Sequence, residues 1–312
     1  VSERFIDVYR TFLQLIERKE WTKALTIAEQ AEIFYPDKSH YTSFWKSCLL
    51  AKLHRLKEAL AQLKSAIQEG IWWNPETLLN EEMFHSIQQD EEFQQIVQIC
   101  KQCFHEQQNK AQPALYVIGN NKNREAIFSL HWRGDNAFDF AEYWKDEKLL
   151  EQHIFGFPQS SQVRGYQTFC WDDKKTAMKD IESLYHLFQN RYLTNENEVI
   201  LAGASQGGKL AIELALAHPA IKVKGFIAVV PAIKDLDEFI QLFAAREIRN
   251  VPGYIITGRK DRFYDNTEKL CRLFQHHHIQ CELYVDEQEG HMFPKQFHSL
   301  LMEAIHFIRI KG

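Results

Sequence analysis

The sequence has no surplus of positive charge: 37 Lys and Arg stand against 42 Asp and Glu, a net charge of −5 with a pI of about 6.3. No basic excess is available to neutralise a phosphate backbone, so a nucleic-acid partner is not expected. Long apolar runs are also missing. The stretch around 226–233 falls far short of the ~20 residues that a membrane-spanning helix needs. The opening Val1-Ser2-Glu3-Arg4-Phe5 carries neither the basic nor the apolar region of a secretory signal. Cysteine is sparse: the six, at 48, 100, 103, 170, 271 and 281, are too scattered for a disulfide framework in a chain of 312 residues and fit a reducing compartment. These absences lead to the expectation of a cytoplasmic protein without a membrane span. What is present is globular in texture, with 45% hydrophobic and 25% charged residues, enough to build a sizeable core. At roughly 100–200 residues per domain, the length suggests two domains.

Up to about residue 110 there is almost no strand signal, and Glu, Lys, Gln, Leu and Ala recur at the helical period of three to four. Within this region Trp21-Thr22-Lys23-Ala24-Leu25 matches Leu56-Lys57-Glu58-Ala59-Leu60 at an offset of 35, and the match continues through Ala28/Leu63 and Ala31/Ala66. Small residues such as Ala24 and Ala59 allow close helix approach, while Leu25, Leu60 and Ile67 supply an apolar seam. The period lies near the ~34 residues of tetratricopeptide repeats, and Ala24, Phe34, Pro36 and Ala59 resemble part of that pattern. A helical stretch at 81–103 is expected as a third element, and residues 1–105 are therefore expected to form a tetratricopeptide-like all-helical domain. The polar segment 106–113, ending at Pro113, reads as a linker.

From residue 114 the texture changes. Apolar, β-rich runs at 114–119, 126–131, 199–202, 225–230, 253–257 and 281–285 alternate in their later part with helical stretches at 174–190, 207–218, 234–245, 265–277 and 295–309. That alternation predicts an α/β domain over 114–312, with a mainly parallel sheet covered by helices on both faces.

Gly203-Ala204-Ser205-Gln206-Gly207-Gly208 follows one of those runs and opens a helical one. It fits the G-x-S-x-G turn that holds a serine nucleophile between strand and helix, the glycines being required where side chains would collide. A serine hydroxyl needs a base to take its proton and an acid to orient that base. His291, in Gly290-His291-Met292 beyond the last expected strand, is the candidate base. His276, His277 and His278 end an amphipathic helix instead, and His298 and His306 fall within the final helix. Asp261, in Thr257-Gly258-Arg259-Lys260-Asp261 at the C-terminal end of a strand, is the candidate acid. Asp265, near a helix start, and Asp286, at a strand end, compete with it. The order Ser205, Asp261, His291 is that of α/β-hydrolases. For the oxyanion, the backbone N–H of Gln206 is one expected donor. Leu130-His131-Trp132-Arg133-Gly134-Asp135 is similar to the Leu-His-Gly-x-Gly-Asp of carboxylesterases and acyl-protein thioesterases, with Trp132 in place of glycine. That similarity aligns Arg133 with the second donor.

Residues from about 114 to 310 resemble an α/β-hydrolase of the phospholipase/carboxylesterase or predicted-esterase type, related in style to dienelactone hydrolase. The resemblance rests on Leu130 to Asp135, Gly203 to Gly208, Gly258 to Asp261 with Phe263, and Glu289 to Pro294. Phe157-Pro158-Gln159-Ser160-Ser161-Gln162 and Trp171-Asp172-Asp173 are similar to a pocket-lining stretch of such esterases. It implies a serine hydrolase acting on a carboxylic ester or thioester, with no cofactor and no metal. Trp132, Ser160, Ser161, Trp171 and Met292 are the candidate pocket-lining residues. Two alternatives stay open: a serine peptidase of the same fold, and an inactive α/β platform whose helical domain binds a protein or peptide. Cys100-Lys101-Gln102-Cys103 with His105 lacks the second cysteine pair of a zinc site and is read as packing. Trp72, Trp73, Trp132, Trp144 and Trp171 could line an apolar pocket, but aromatics at these spacings are more often core.

Overall fold

The computed structural model describes residues 4–120, 122, 125–245 and 248–312. Residues 1–3, at the start of the expected helical domain, and 121, 123, 124, 246 and 247, within the expected α/β domain, lie outside them. The chain divides into two compact units, 1–111 with 163–167, and 112–162 with 168–312.

The first unit is helical: α1 (Phe5–Glu17), α2 (Trp21–Phe34), α3 (Ser39–Lys52), α4 (Leu56–Gln68), α5 (Pro75–Asn80) and α6 (Glu91–Lys110). The 35-residue offset read in the sequence is the offset between the first residues of α2 and α4. Ala24, Leu25, Ala28 and Ala31 are buried, as are their counterparts Ala59, Leu60, Leu63 and Ala66. Helices α2 and α4, with α3 between them in the chain, therefore bury the same positions in the same register, with alanine where close helix approach needs a small side chain. Aromatic rings fill the space beside them, Phe12 stacking on Trp45 at 4.3 Å between centroids. Trp72 and Trp73 are buried here, and the Trp73 indole donates to the His40 carbonyl at 2.8 Å.

Two expectations need correction in this unit. The stretch 81–103 is not one helix: a short 3-10 turn over Glu82–Phe84 precedes α6, which starts where Asp90 accepts the Glu92 N–H at 2.8 Å. The stretch 106–113 is not a free linker, because α6 runs to Lys110. Its Glu, Gln and Lys residues are good helix formers on an exposed face, and the helix stops just short of Pro113.

The second unit holds a seven-stranded sheet of β1 (Ala114–Gly119), β2 (Glu125–Leu130), β3 (Ile154–Gln159), β6 (Glu198–Ala204), β7 (Gly225–Val229), β8 (Gly253–Gly258) and β9 (Cys281–Asp286), in the order β1-β3-β2-β6-β7-β8-β9. Within this sheet, among the described residues, only β1, paired with β3, runs antiparallel. Strands β4 (Gln162–Gly165) and β5 (Thr168–Cys170) form a separate hairpin. The helices are α7 (Ala137–Trp144), α8 (Glu147–Gln152), α9 (Lys174–Tyr192), α10 (Gln206–Ala217), α11 (Asp237–Ala245), α12 (Tyr264–His276) and α13 (Phe297–Lys311). Strands β2, β7 and β8 are buried along their whole length, as expected of a sheet covered on both faces. Their C-terminal ends carry the loops that follow.

Candidate active site

The elbow is built by close packing. In β6 the chain rises to Ala204, and Ser205 then takes φ 51°, ψ −116° before α10 begins at Gln206. A β-carbon on Gly203 would lie 2.4 Å from the Gly207 carbonyl oxygen, and one on Gly207 would lie 2.3 Å from that of Leu130. Only glycine at both places lets the strand, the helix and the loop after β2 approach this closely. The Ser205 N–H donates to Val229 O at 2.9 Å, and its carbonyl accepts from Lys209 and Ala232. The strained residue is thus held on both sides by main-chain bonds.

The structure brings Ser205, His291 and Asp261 together. His291 Nε2 lies 2.8 Å from Ser205 Oγ, and its Nδ1 lies 2.8 Å from Asp261 Oδ2. Asp261 is buried, while the His291 ring is about a quarter exposed. The Phe263 N–H donates to Asp261 Oδ1 at 2.9 Å, so both carboxylate oxygens are engaged. The Phe263 ring meets the His291 ring edge to face at 5.3 Å. The competing acids are employed elsewhere. Asp265 is exposed in the first turn of α12, and Asp286 accepts the N–H groups of Gln288 and Glu289. His277 stacks on Phe243, and His298 bonds to the Tyr143 carbonyl.

The loop after β2 packs over the elbow. His131 is fully buried and stacked on Trp171 at 4.7 Å. Its Nδ1 lies 2.8 Å from the Trp132 carbonyl, which can only accept, so that nitrogen carries the proton. Nε2 is then free to accept the Ser160 N–H at 3.4 Å. Burial pushes the His131 pKa down to about 4, keeping the ring neutral. In a trans peptide the N–H points opposite to the C=O. Fixing the Trp132 oxygen toward His131 therefore turns the Arg133 N–H away from that ring. Gln206 opens α10, where the first N–H groups have no partner within the helix.

The Arg133 and Gln206 side chains converge on one carboxylate. Arg133 Nε and Nη2 donate to Asp172 Oδ1 and Oδ2 at 2.8 and 2.7 Å, and Gln206 Nε2 donates to Oδ1 at 2.9 Å. These bonds, the Arg133 guanidinium first, hold the Asp172 carboxyl at about 2. Gln206 Oε1 in turn accepts the Trp171 N–H at 2.9 Å. Sequence reading placed Asp172 only in a pocket-lining stretch, because a surface aspartate carries no signal until the fold brings residues 133, 172 and 206 together.

Trp132 is partly exposed and meets Tyr143 and Phe293 at 5.0 and 5.3 Å. Trp171 is buried, its indole donating to His131 O at 2.9 Å, and Ser160 is buried with its hydroxyl accepting the Gln162 N–H. Ser161 donates through both N–H and hydroxyl to Asp180, and Met292 is buried. In the first unit, burial raises the Cys100 thiol to about 11, which suits packing. Among the described residues no cluster of three or more His, Cys, Asp or Glu is placed to hold a metal ion, and no helix is long and apolar enough to cross a membrane.

Comparison with known proteins adds three findings. Residues 6–108 match the family model described as A/B hydrolase-like, N-terminal domain. An uncharacterized protein from Bacillus cereus, 25% identical, aligns over 99% of this chain and 100% of its own, with a TM-score of 0.53. The structure of esterase PE8, 19% identical, covers 64% of this chain and 100% of its own, with a TM-score of 0.52. No curated protein matches the sequence. The mostly parallel sheet with its flanking helices, taken with these likenesses, is the α/β-hydrolase fold.

Proposed function

We propose that the protein is a serine hydrolase that cleaves a carboxylic ester or thioester of a small molecule through an acyl-enzyme. The observation that carries this reading is the relay of two 2.8 Å contacts, Ser205 to His291 and His291 to Asp261, at a serine held with positive φ. Ser205 Oγ attacks the carbonyl carbon as His291 Nε2 takes its proton. The tetrahedral oxyanion is received by the N–H groups of Gln206 and Arg133. His291 then protonates the departing alcohol or thiol, and the acyl group stays on Ser205. Water attacks this ester with His291 again as base, releasing the acid and restoring the serine. Asp261 keeps the imidazole in the required tautomer and stabilises its cation. Trp132, beside the Arg133 donor, is read as a wall of the acyl pocket.

The experiment is ester hydrolysis by the parent and by Ser205→Ala. The variant is expected to fall to the solution background; retention of full turnover would overturn the assignment. A substrate panel including peptide amides separates this reading from a peptidase of the same fold. The repeated hairpins of the first unit support a tetratricopeptide-like role in holding a protein or peptide. Six free cysteines support a reducing, cytoplasmic setting.

A further inference from the structure

We propose that Asp172 is a positioning residue for the oxyanion site: its one carboxylate holds the side chains of both residues whose N–H groups receive the oxyanion. This inference rests on the serine-hydrolase reading above.

The two donors come from parts of the chain 73 positions apart, Arg133 in the loop after β2 and Gln206 after β6, both beyond the last paired residues of those strands, Leu130 and Gly203. Arg133 stands beside Gly134, which has φ +87°, in a loop where Trp132 occupies the place that related motifs give to glycine. Gln206 begins a helix. Asp172 bridges them. Two parallel bonds to the Arg133 guanidinium fix its plane as well as its distance, as bidentate arginine–carboxylate pairs do. The third bond, from Gln206 Nε2, ties the elbow to the same oxygen that accepts from Arg133 Nε. The segment that carries Asp172 is itself fastened to the loop. Gly134 N–H donates to Phe169 O, Phe169 N–H donates to Asp135 O, and the Trp171 indole donates to His131 O. No hydrogen bond among the described residues runs from Asp172 to Ser205, His291 or Asp261, so its influence on the reaction passes through the donors.

Magnitudes separate this role from a stabilising one. The Asp172 and Arg133 side chains are each a little over 40% exposed, and ion pairs that exposed add little to stability. Oxyanion donors, by contrast, are worth about 10²–10³ in kcat when removed, and donors left in place but displaced lose part of that. The expected signature is therefore a fall in kcat with an almost unchanged melting temperature and KM.

The test uses the full chain and its Asp172→Asn, Asp172→Glu, Arg133→Met and Asp172→Asn/Arg133→Met variants, with p-nitrophenyl butyrate as substrate. An alkyl trifluoromethyl ketone, which forms an oxyanion on the serine, is the inhibitor. Asp172→Asn is expected to lower kcat by about 10–100-fold, with KM within about twofold, and to raise the ketone Ki by the same factor as kcat/KM falls. Asp172→Glu is expected to recover part of the loss. The double variant should lose no more than the worse single one. Arg133→Met breaks the same pair from the other side, so the comparison is read in whichever variant keeps the parent melting temperature. Parent-like kcat in such a variant, or a loss confined to KM, overturns the positioning role while leaving the triad in place. A parent that neither turns over ester nor takes up a fluorophosphonate at Ser205 overturns both.

Discussion

Ser205 could not be held at φ 51° by local preference alone, since a non-glycine residue there is strained. The strain is sustained by its neighbours, above all by the missing side chain of Gly207. A methyl group placed there would meet two main-chain oxygens, of Leu130 and His131, at 2.3 and 2.6 Å. Backbone oxygens do not rotate away, so Gly207→Ala should separate the loop from the elbow. The expected result is a loss of ester turnover together with a lower melting temperature, read by hydrolysis assays and thermal unfolding. Asp261→Asn tests a different property. It preserves the shape of the side chain but allows an amide N–H to face His291, which favours the wrong tautomer. A fall of about 10⁴-fold in kcat with native circular dichroism is expected. Parent-level turnover would show that Asp261 does not orient the base. These residues were legible in the sequence because each belongs to a short motif tied to a strand end. Asp172 and the His131–Ser160 bond were not, since they join parts of the chain that only the fold makes adjacent.

Elements show the same division. Strands β1, β2, β6, β7, β8 and β9 and the later helices announce themselves as apolar runs and helical periods, and their observed limits differ from the expected ones by a few residues at most. Strand β3 was missed because Gly156 and Pro158 interrupt its six residues, although it pairs with both β1 and β2. Helices α7 and α8 were missed because eight and six residues are too few to show a period; their signal is the capping residue, Asn136 and Asp146. One element-scale tie carries a prediction. The Arg249 guanidinium donates to the carbonyls of Leu214, in the last turn of α10, and of His218 and Ile221 beyond its end, at 2.6–2.8 Å. Arg249→Ala should cost about 1–3 kcal/mol of stability, measured by urea unfolding, with little change in KM. An unchanged midpoint would mean that water replaces the guanidinium without loss.

At the scale of the whole molecule, composition and charge set the class, and the repeat and the change of texture near residue 114 separated a helical from an α/β region. The pH response also belongs to this scale. His131 falls from an ordinary value near 6.5 to about 4 on burial, so the folded chain binds fewer protons than the unfolded one between those values. Its contribution is complete above about pH 6.5 and lost as pH falls toward 4, up to about 3 kcal/mol. His153, lowered by burial, acts in the same direction. Urea midpoints from pH 7 to pH 4 should decline steadily, and a flat profile would contradict a neutral buried His131. The most direct test of the central claim is fluorophosphonate labelling of the parent and of Ser205→Ala, with the adduct located by mass spectrometry. The account predicts a single adduct on Ser205 that disappears in the variant; a folded parent that takes up no label, or carries it on another serine, would contradict it.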